Sequence, residues 1–155
     1  MLVVSIDDRL SELGIELPPP PVAIAAYIPC VVSNGIAYVA GQIPMVDGAV
    51  QHVGHVGADV SIEDAFDECR RCALQALAAL KAELGSLDRV KRIVKLDVLI
   101  ASAPGFTSQP MVANGASEVL GEIFGEAGRH ARVAIGVAEL PLGAPVEVVV
   151  IAEVD

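Results

Sequence analysis

The sequence predicts an α+β domain: a mixed sheet in the order βββαβαββ with two long helices on one of its faces. Three observations carry this. Residues 90–101 and 146–154 are apolar-rich segments of strand length. Two stretches, from Ser61 and from Pro110, open on helix-start chemistry, continue with an apolar stripe and close on glycine. Two Gly-containing turns, at Asn34-Gly35 and Asp47-Gly48, sit among strand-like segments. A length of 155 residues suits one core. With 54% hydrophobic and only 3% aromatic residues, that core is built from Val, Ile, Leu and Ala.

DDRLSELGIEL reads as a short helix capped by Asp7 or Asp8 and stopped at Gly14. Pro18 to Pro21 cannot continue it, so residues 1–21 form an N-terminal helix and connector, and residues 22–155 a single domain. Residues 22–32 and 36–42 form a hairpin about Asn34-Gly35. The Asp47-Gly48 turn leads into a third short strand ending at Gln51, followed by the glycine-rich loop HVGHVGAD.

Ser61-Ile62-Glu63-Asp64 has a capping-box pattern. The helix it opens carries Ala65, Cys69, Cys72, Ala73, Ala76, Leu77, Leu80 and Leu84 as one stripe, and Gly85 ends it. Residues 90–101 alternate as a half-buried strand. Residues 110–124 form the second long helix, and residues 131–140 and 146–154 are two final strands flanking Pro141 to Pro145.

A net charge of −10 repels phosphate backbones, and no basic, aromatic-interleaved stretch is present, so nucleic acid is not an expected partner. No apolar run has the roughly 18 residues of a membrane span. No basic segment followed by an apolar one opens the chain, and a cytoplasmic protein is expected. Three scattered cysteines read as reduced thiols. So apolar a chain is expected to cover part of its surface with copies of itself.

In ARVAIGVAEL, Val133, Ile135 and Val137 alternate with Arg132, Ala134, Gly136 and Ala138. The larger set is expected to pack on the helices. The smaller leaves room beside a guanidinium, whose planar fork suits capture of a carboxylate, although a solvated edge arginine has the same pattern. Glu147 interrupts an apolar strand. If the last two strands pair as a hairpin, Glu147 comes within range of Arg132, as a salt bridge or to orient a water. Cys69 and Cys72 lie two turns into their helix and read as core rather than redox residues. His52, His55 and Asp59 are too loosely spaced for a metal motif, and neither metal nor cofactor is expected. His130 reads as a polar approach to the strand.

The segments YVAGQIPMVDG, SIEDA, IVKLDVLI and, above all, GRHARVAIGVAELPLGAPVEV resemble the RidA (YjgF-like) family, from about Tyr27 to the C-terminus. The N-terminal RLSELGIELPPPP is similar to a longer branch of it. The resemblance implies a chorismate-mutase-like fold of the bacillus type and a homotrimer with clefts between subunits. The implied reaction is hydrolysis of reactive 2-imino or enamine acids to 2-keto acids and ammonia. Arg132 matches the family's carboxylate-binding arginine and Glu147 its water-orienting carboxylate. Tyr27 matches the aromatic residue lining the cleft from a neighbour, Gly41 a backbone contact and Asn114 a polar residue of the second helix. Ala40 stands where the family often has serine, Ala134 where it often has cysteine, and Ser117 where tyrosine is usual. With those polar groups gone, the alternative is a module that binds small carboxylate metabolites in the same clefts without turnover.

Overall fold

A computed structural model describes residues 3–22 and 25–155. Two long helices lie over one face of a five-stranded sheet, and a short N-terminal helix packs beside them. The elements are α1 (Ile6–Glu12), β1 (Cys30–Ser33), β2 (Ile36–Val39), α2 (Ile62–Leu84), β3 (Val90–Ala101), α3 (Gln109–Phe124), β4 (Ala131–Val137) and β5 (Val146–Val154). The strand order is β1-β2-β5-β3-β4. Only β3 and β4 run parallel among neighbours.

Local chemistry sets the helix ends. Ser61 accepts a hydrogen bond from the Asp64 amide, and Gly85, left-handed at φ 82°, closes α2 with its amide on Lys81. Pro110 sits in the first turn of α3, where a missing N–H costs nothing. Asn34 and Gly35 take positive φ, as the tight turn between β1 and β2 requires.

Three expectations about strand extent and pairing are corrected, as is a fourth about the faces of β4. The third meander strand does not form: the Asp47-Gly48 turn closes only an isolated bridge between Val46 and Ala49. The edge of β2 that such a strand would use is taken by nine-residue β5. The last two strands are not a hairpin, because β5 lies between β2 and β3 while β4 joins the far side of β3. The two crossovers, β2-α2-β3 and β3-α3-β4, advance across the sheet in the same direction and lay both helices on one face. The first strand is also shorter than expected, and residues 23 and 24, inside the range 22–32, lie outside the described residues.

The faces of β4 are the reverse of those expected. Arg132, Ala134 and Gly136 pair with Leu96, Val98 and Ile100, which are buried beneath the helices. Gly136 is small because α3 crowds it: a Cβ there would lie 2.9 Å from Ser102 Oγ and 3.0 Å from Gln109 Nε2. Val133 and Ile135 are exposed on the opposite face, where Val31 and Tyr38 are exposed as well.

The core between sheet and helices is aliphatic, with Leu77, Leu80, Ile93, Leu96, Ile100 and Leu120 among its fully buried residues. The N-terminal helix is tied on by Leu10, which is buried, by Lys81 on Asp7 at 2.7 Å, and by Arg9 Nε donating to the Glu122 carbonyl. Among the described residues no helix is long and apolar enough to cross a membrane.

Candidate functional site

The expected site residues fall into two groups on opposite sides of β3. The first centres on Arg132, whose partly buried side chain emerges at the β4 edge toward α3. Its Nη1 donates to Asn114 Oδ1 at 2.8 Å and to Ser117 Oγ at 3.1 Å. Asn114 and Ser117 are three residues apart on α3 and so share a face. Ser117 Oγ lies 2.9 Å from His130 Nε2, and His130 Nδ1 lies 2.7 Å from the Gly128 carbonyl. A cavity of about 320 Å³ opens beside Arg132, lined also by Ser117, Gly121, Gly128, Arg129 and His130.

The charge balance makes this arginine unusual. Eight of the ten Lys and Arg side chains have a carboxylate within salt-bridge distance; the exceptions are the exposed Arg92 and the partly buried Arg132. A guanidinium held by two neutral acceptors, with no carboxylate partner among the described residues, is a ready site for an external anion.

The second group is built on β5 and the continuation of β2. Tyr38 pairs with Ile151 but Gln42 with Val148, so the strand carries one extra residue, a bulge at Ala40 and Gly41. The bulge brings Gly41 against Glu147, and a Cβ on Gly41 would overlap the Glu147 carboxylate. Desolvation by burial pushes the Glu147 carboxyl above its ordinary range. Tyr27, half exposed, shares with Gly41 and Gln42 a cavity of about 490 Å³ that Pro18 and Pro21 help to wall.

Arg132 and Glu147 are not brought together within one chain. Their β3 partners are Leu96 and Leu99, on opposite faces. Two strand spacings and three residues of rise separate their backbones by roughly 14 Å. Ala40 belongs to the Glu147 group, while Ala134 is partly buried one side-chain step from Arg132. Tyr27 and Gly41 line the same cavity within one chain.

Two supporting residues were missed from sequence. Buried Gln75 donates to the Ile43 carbonyl at 2.8 Å and accepts from the Met45 amide at 2.8 Å. Buried Gln42 donates to the Ala40 carbonyl at 3.0 Å. Together they pin the chain that leaves the bulge. The signal was present: Gln75 is a lone amide among Cys72, Ala73, Ala76 and Leu77.

Cys69 and Cys72 are fully buried, and desolvation pushes the Cys69 thiol up to about 12 and the Cys72 thiol well above its usual value. They are core residues. His52 and His55 take separate partners. His55 Nε2 meets the Ala138 carbonyl at 2.9 Å and Glu139 at 3.1 Å, and His52 Nδ1 lies 2.6 Å from the buried carboxylate of Glu68.

The hydrogen bond to Glu68 is the main cause that raises the His52 pKa. Its contribution to stability is therefore complete below pH 6.5 and lost as pH rises through the raised folded value. His52→Ala is expected to lower the melting temperature at pH 6 and to have less effect at pH 9, as thermal melts at the two values will show.

The match to known proteins follows this architecture. Residues 7–154 fit the family model described as "YjgF/chorismate_mutase-like, putative endoribonuclease". The chain is 45% identical to Protein TCP17 of Trypanosoma cruzi over 95% of its own length and 92% of that protein's. It is 43% identical to the crystallised protein Atu1372 of unknown function from Agrobacterium tumefaciens, at a TM-score of 0.89, covering 97% of this chain and 94% of that one. More distant in fold is TdcF of E. coli, solved with bound serine: 22% identity, TM-score 0.62, covering 88% of this chain and 94% of that one. The Agrobacterium structure spans nearly the whole chain, and TdcF less of it. With its mixed five-stranded sheet, two helices on one face and a match running from Asp7 to Val154, the chain belongs to the YjgF/chorismate-mutase-like family.

Proposed function

We propose that the protein hydrolyses 2-imino or enamine acids to 2-keto acids and ammonia, in clefts formed where copies of the chain meet as a homotrimer. The observation that carries this reading is Arg132: partly buried, fixed through Nη1, and without a carboxylate partner among the described residues. Its free Nε and Nη2 edge suits a substrate carboxylate. Because Glu147 lies on the other face beyond β3, a cleft with both groups requires the β4 edge of one copy to face the Gly41 and Glu147 bulge of the next. Exposed Val31, Tyr38, Val133 and Ile135 give the open sheet face an apolar surface for that association.

In this cleft Arg132 holds the carboxylate, with Asn114 alongside, while the neighbour's Tyr27 and Gly41 border the reacting carbon. Ala40 and Ala134 line it with methyl groups. Glu147 accepts a proton from water as its oxygen bonds to the imine carbon and the C=N pair moves to nitrogen. That proton passes to nitrogen. The new hydroxyl then gives its own proton, by way of Glu147, to the same nitrogen as the C–N bond breaks and the carbonyl forms, and ammonia leaves. The reaction balances with water alone. Positioning supplies most of the acceleration, because an imine is already reactive. Bound serine in TdcF supports a site for small carboxylates in this fold. A net charge of −10 argues against the endoribonuclease reading of the family description.

Keto-acid release from enzymatically generated imine, followed against the spontaneous rate, tests the reaction; no acceleration by wild-type protein refutes it. Ligand density at Arg132 without turnover would instead favour simple binding. Glu147 must be ionised to act as base, so kcat/KM is expected to fall on acidification with its midpoint above the ordinary value of 4.5. Glu147→Gln is expected to lower kcat about 100-fold and to abolish that acidic limb. A limb that persists in the variant assigns the base elsewhere.

A further inference from the structure

Both Nη1 hydrogens of Arg132 are used inside the protein, one by Asn114 and one by Ser117, so the guanidinium plane is fixed by two residues of α3. The hydroxyl of Ser117 can rotate, however, and its direction depends on what lies behind it. Behind it is His130, with Nε2 at 2.9 Å and Nδ1 at 2.7 Å from the Gly128 carbonyl. One arrangement of protons satisfies all of these contacts with a neutral ring. A carbonyl only accepts, so Nδ1 carries the hydrogen. Nε2 then offers its lone pair, the Ser117 hydroxyl donates to it, and a lone pair on Ser117 Oγ is left facing Arg132. The far end is anchored too: Gly128 packs on the Leu120 carbonyl of α3 so closely that a Cβ would overlap it.

We propose that His130 is a positioning residue for the carboxylate site, acting through Ser117 to hold the free edge of Arg132 toward its ligand. This rests on Arg132 being the carboxylate anchor. The contact between Ser117 and His130 also has the form of a nucleophile and its base. Ser117 is instead placed as a relay: it lies within α3, and its oxygen accepts from a guanidinium that turns the lone pair toward Arg132. Ser117, His130 and Arg132 all border the same cavity of about 320 Å³, so the relay ends where a ligand enters.

Two measurements test it. Nitrogen-15 spectra of the histidine rings at pH 8 are expected to show His130 with its hydrogen on Nδ1, and Ser117→Ala is expected to shift the Nε2 resonance. In calorimetric titrations with 2-oxobutyrate, Ser117→Ala and His130→Ala are each expected to weaken binding about five- to tenfold, the loss of one hydrogen bond to a charged group's support. The double variant is expected to bind no more weakly than either single one, and Ser117→Thr to stay within about twofold of wild type. In turnover the same variants raise KM and leave kcat in place.

A hydrogen on Nε2, unchanged affinity in both single variants, or additive losses in the double variant overturns the relay. So does covalent labelling of Ser117 by a fluorophosphonate. Failure of the anchor itself is distinct: Arg132→Ala then binds 2-oxobutyrate as well as wild type does, or wild type does not bind it at all.

Discussion

Arg132→Ala is expected to lower kcat/KM for 2-imino acid hydrolysis about 100-fold, which corresponds to about 3 kcal/mol, or two charge-assisted hydrogen bonds to one carboxylate. The fold is expected to survive. Arg132 sits on an edge strand, and its loss deprives only Asn114 and Ser117 of a donor. A cost of about 1 kcal/mol, or roughly 3 °C in melting temperature, follows from that. Arg132→Lys keeps the charge without the planar fork and is expected to recover part of the activity, about tenfold above the alanine variant. The measurement is keto-acid formation from freshly generated imine, corrected for spontaneous hydrolysis, alongside a thermal melt. Wild-type kcat/KM in Arg132→Ala protein would remove the anchor from the mechanism.

Gly115→Ala is expected to have the largest effect on stability. Gly115 lies in the middle of α3, where it packs closely on α2, and a Cβ there would overlap the Phe66 carbonyl of α2 and lie 3.3 Å from the Arg70 amide. Both are helix backbone, so neither can yield without separating the helices. Alanine gains about 1 kcal/mol of intrinsic helix propensity. Overpacking costs about 3 kcal/mol against this, for a net loss of about 2 kcal/mol and a melting temperature lower by roughly 4–8 °C. Because Asn114 and Ser117 flank this point of contact, carboxylate binding is expected to weaken as well. A variant as stable as wild type would show that the helices can separate freely, and that the small residue serves some other need.

The elements whose signals are local were legible. Ser61 and Gly85 bound α2 where capping chemistry places them, and Pro110 marks the start of α3. The Asn34-Gly35 turn joins β1 to β2. The glycine at position 41 was matched by resemblance, and the bulge that presses it against Glu147 became visible only with the pairing of Tyr38 and Gln42 to β5. His130 could not be recognised from sequence as more than a polar residue before a strand. Its role depends on Ser117 of α3, which it meets only after folding, and on a local contact with the Gly128 carbonyl whose meaning that partner decides.

By itself the sequence determined the two long helices and the cores of the strands about Asn34-Gly35, at residues 90–101, from Ala131 and at residues 146–154, and that Arg132 alternates with small residues along one of them. Those are properties of neighbouring residues: capping, turn angles and the period of two in a strand. Tertiary structure alone decided that β5 enters between β2 and β3, that the face carrying Arg132 lies toward the helices, and that Glu147 lies beyond β3 on the other side of the sheet. Alternation reports that a strand has two faces, but not which one is covered. That depends on which edge each strand finds free and where the crossing helices lie, and it is settled by contacts between residues far apart in the chain.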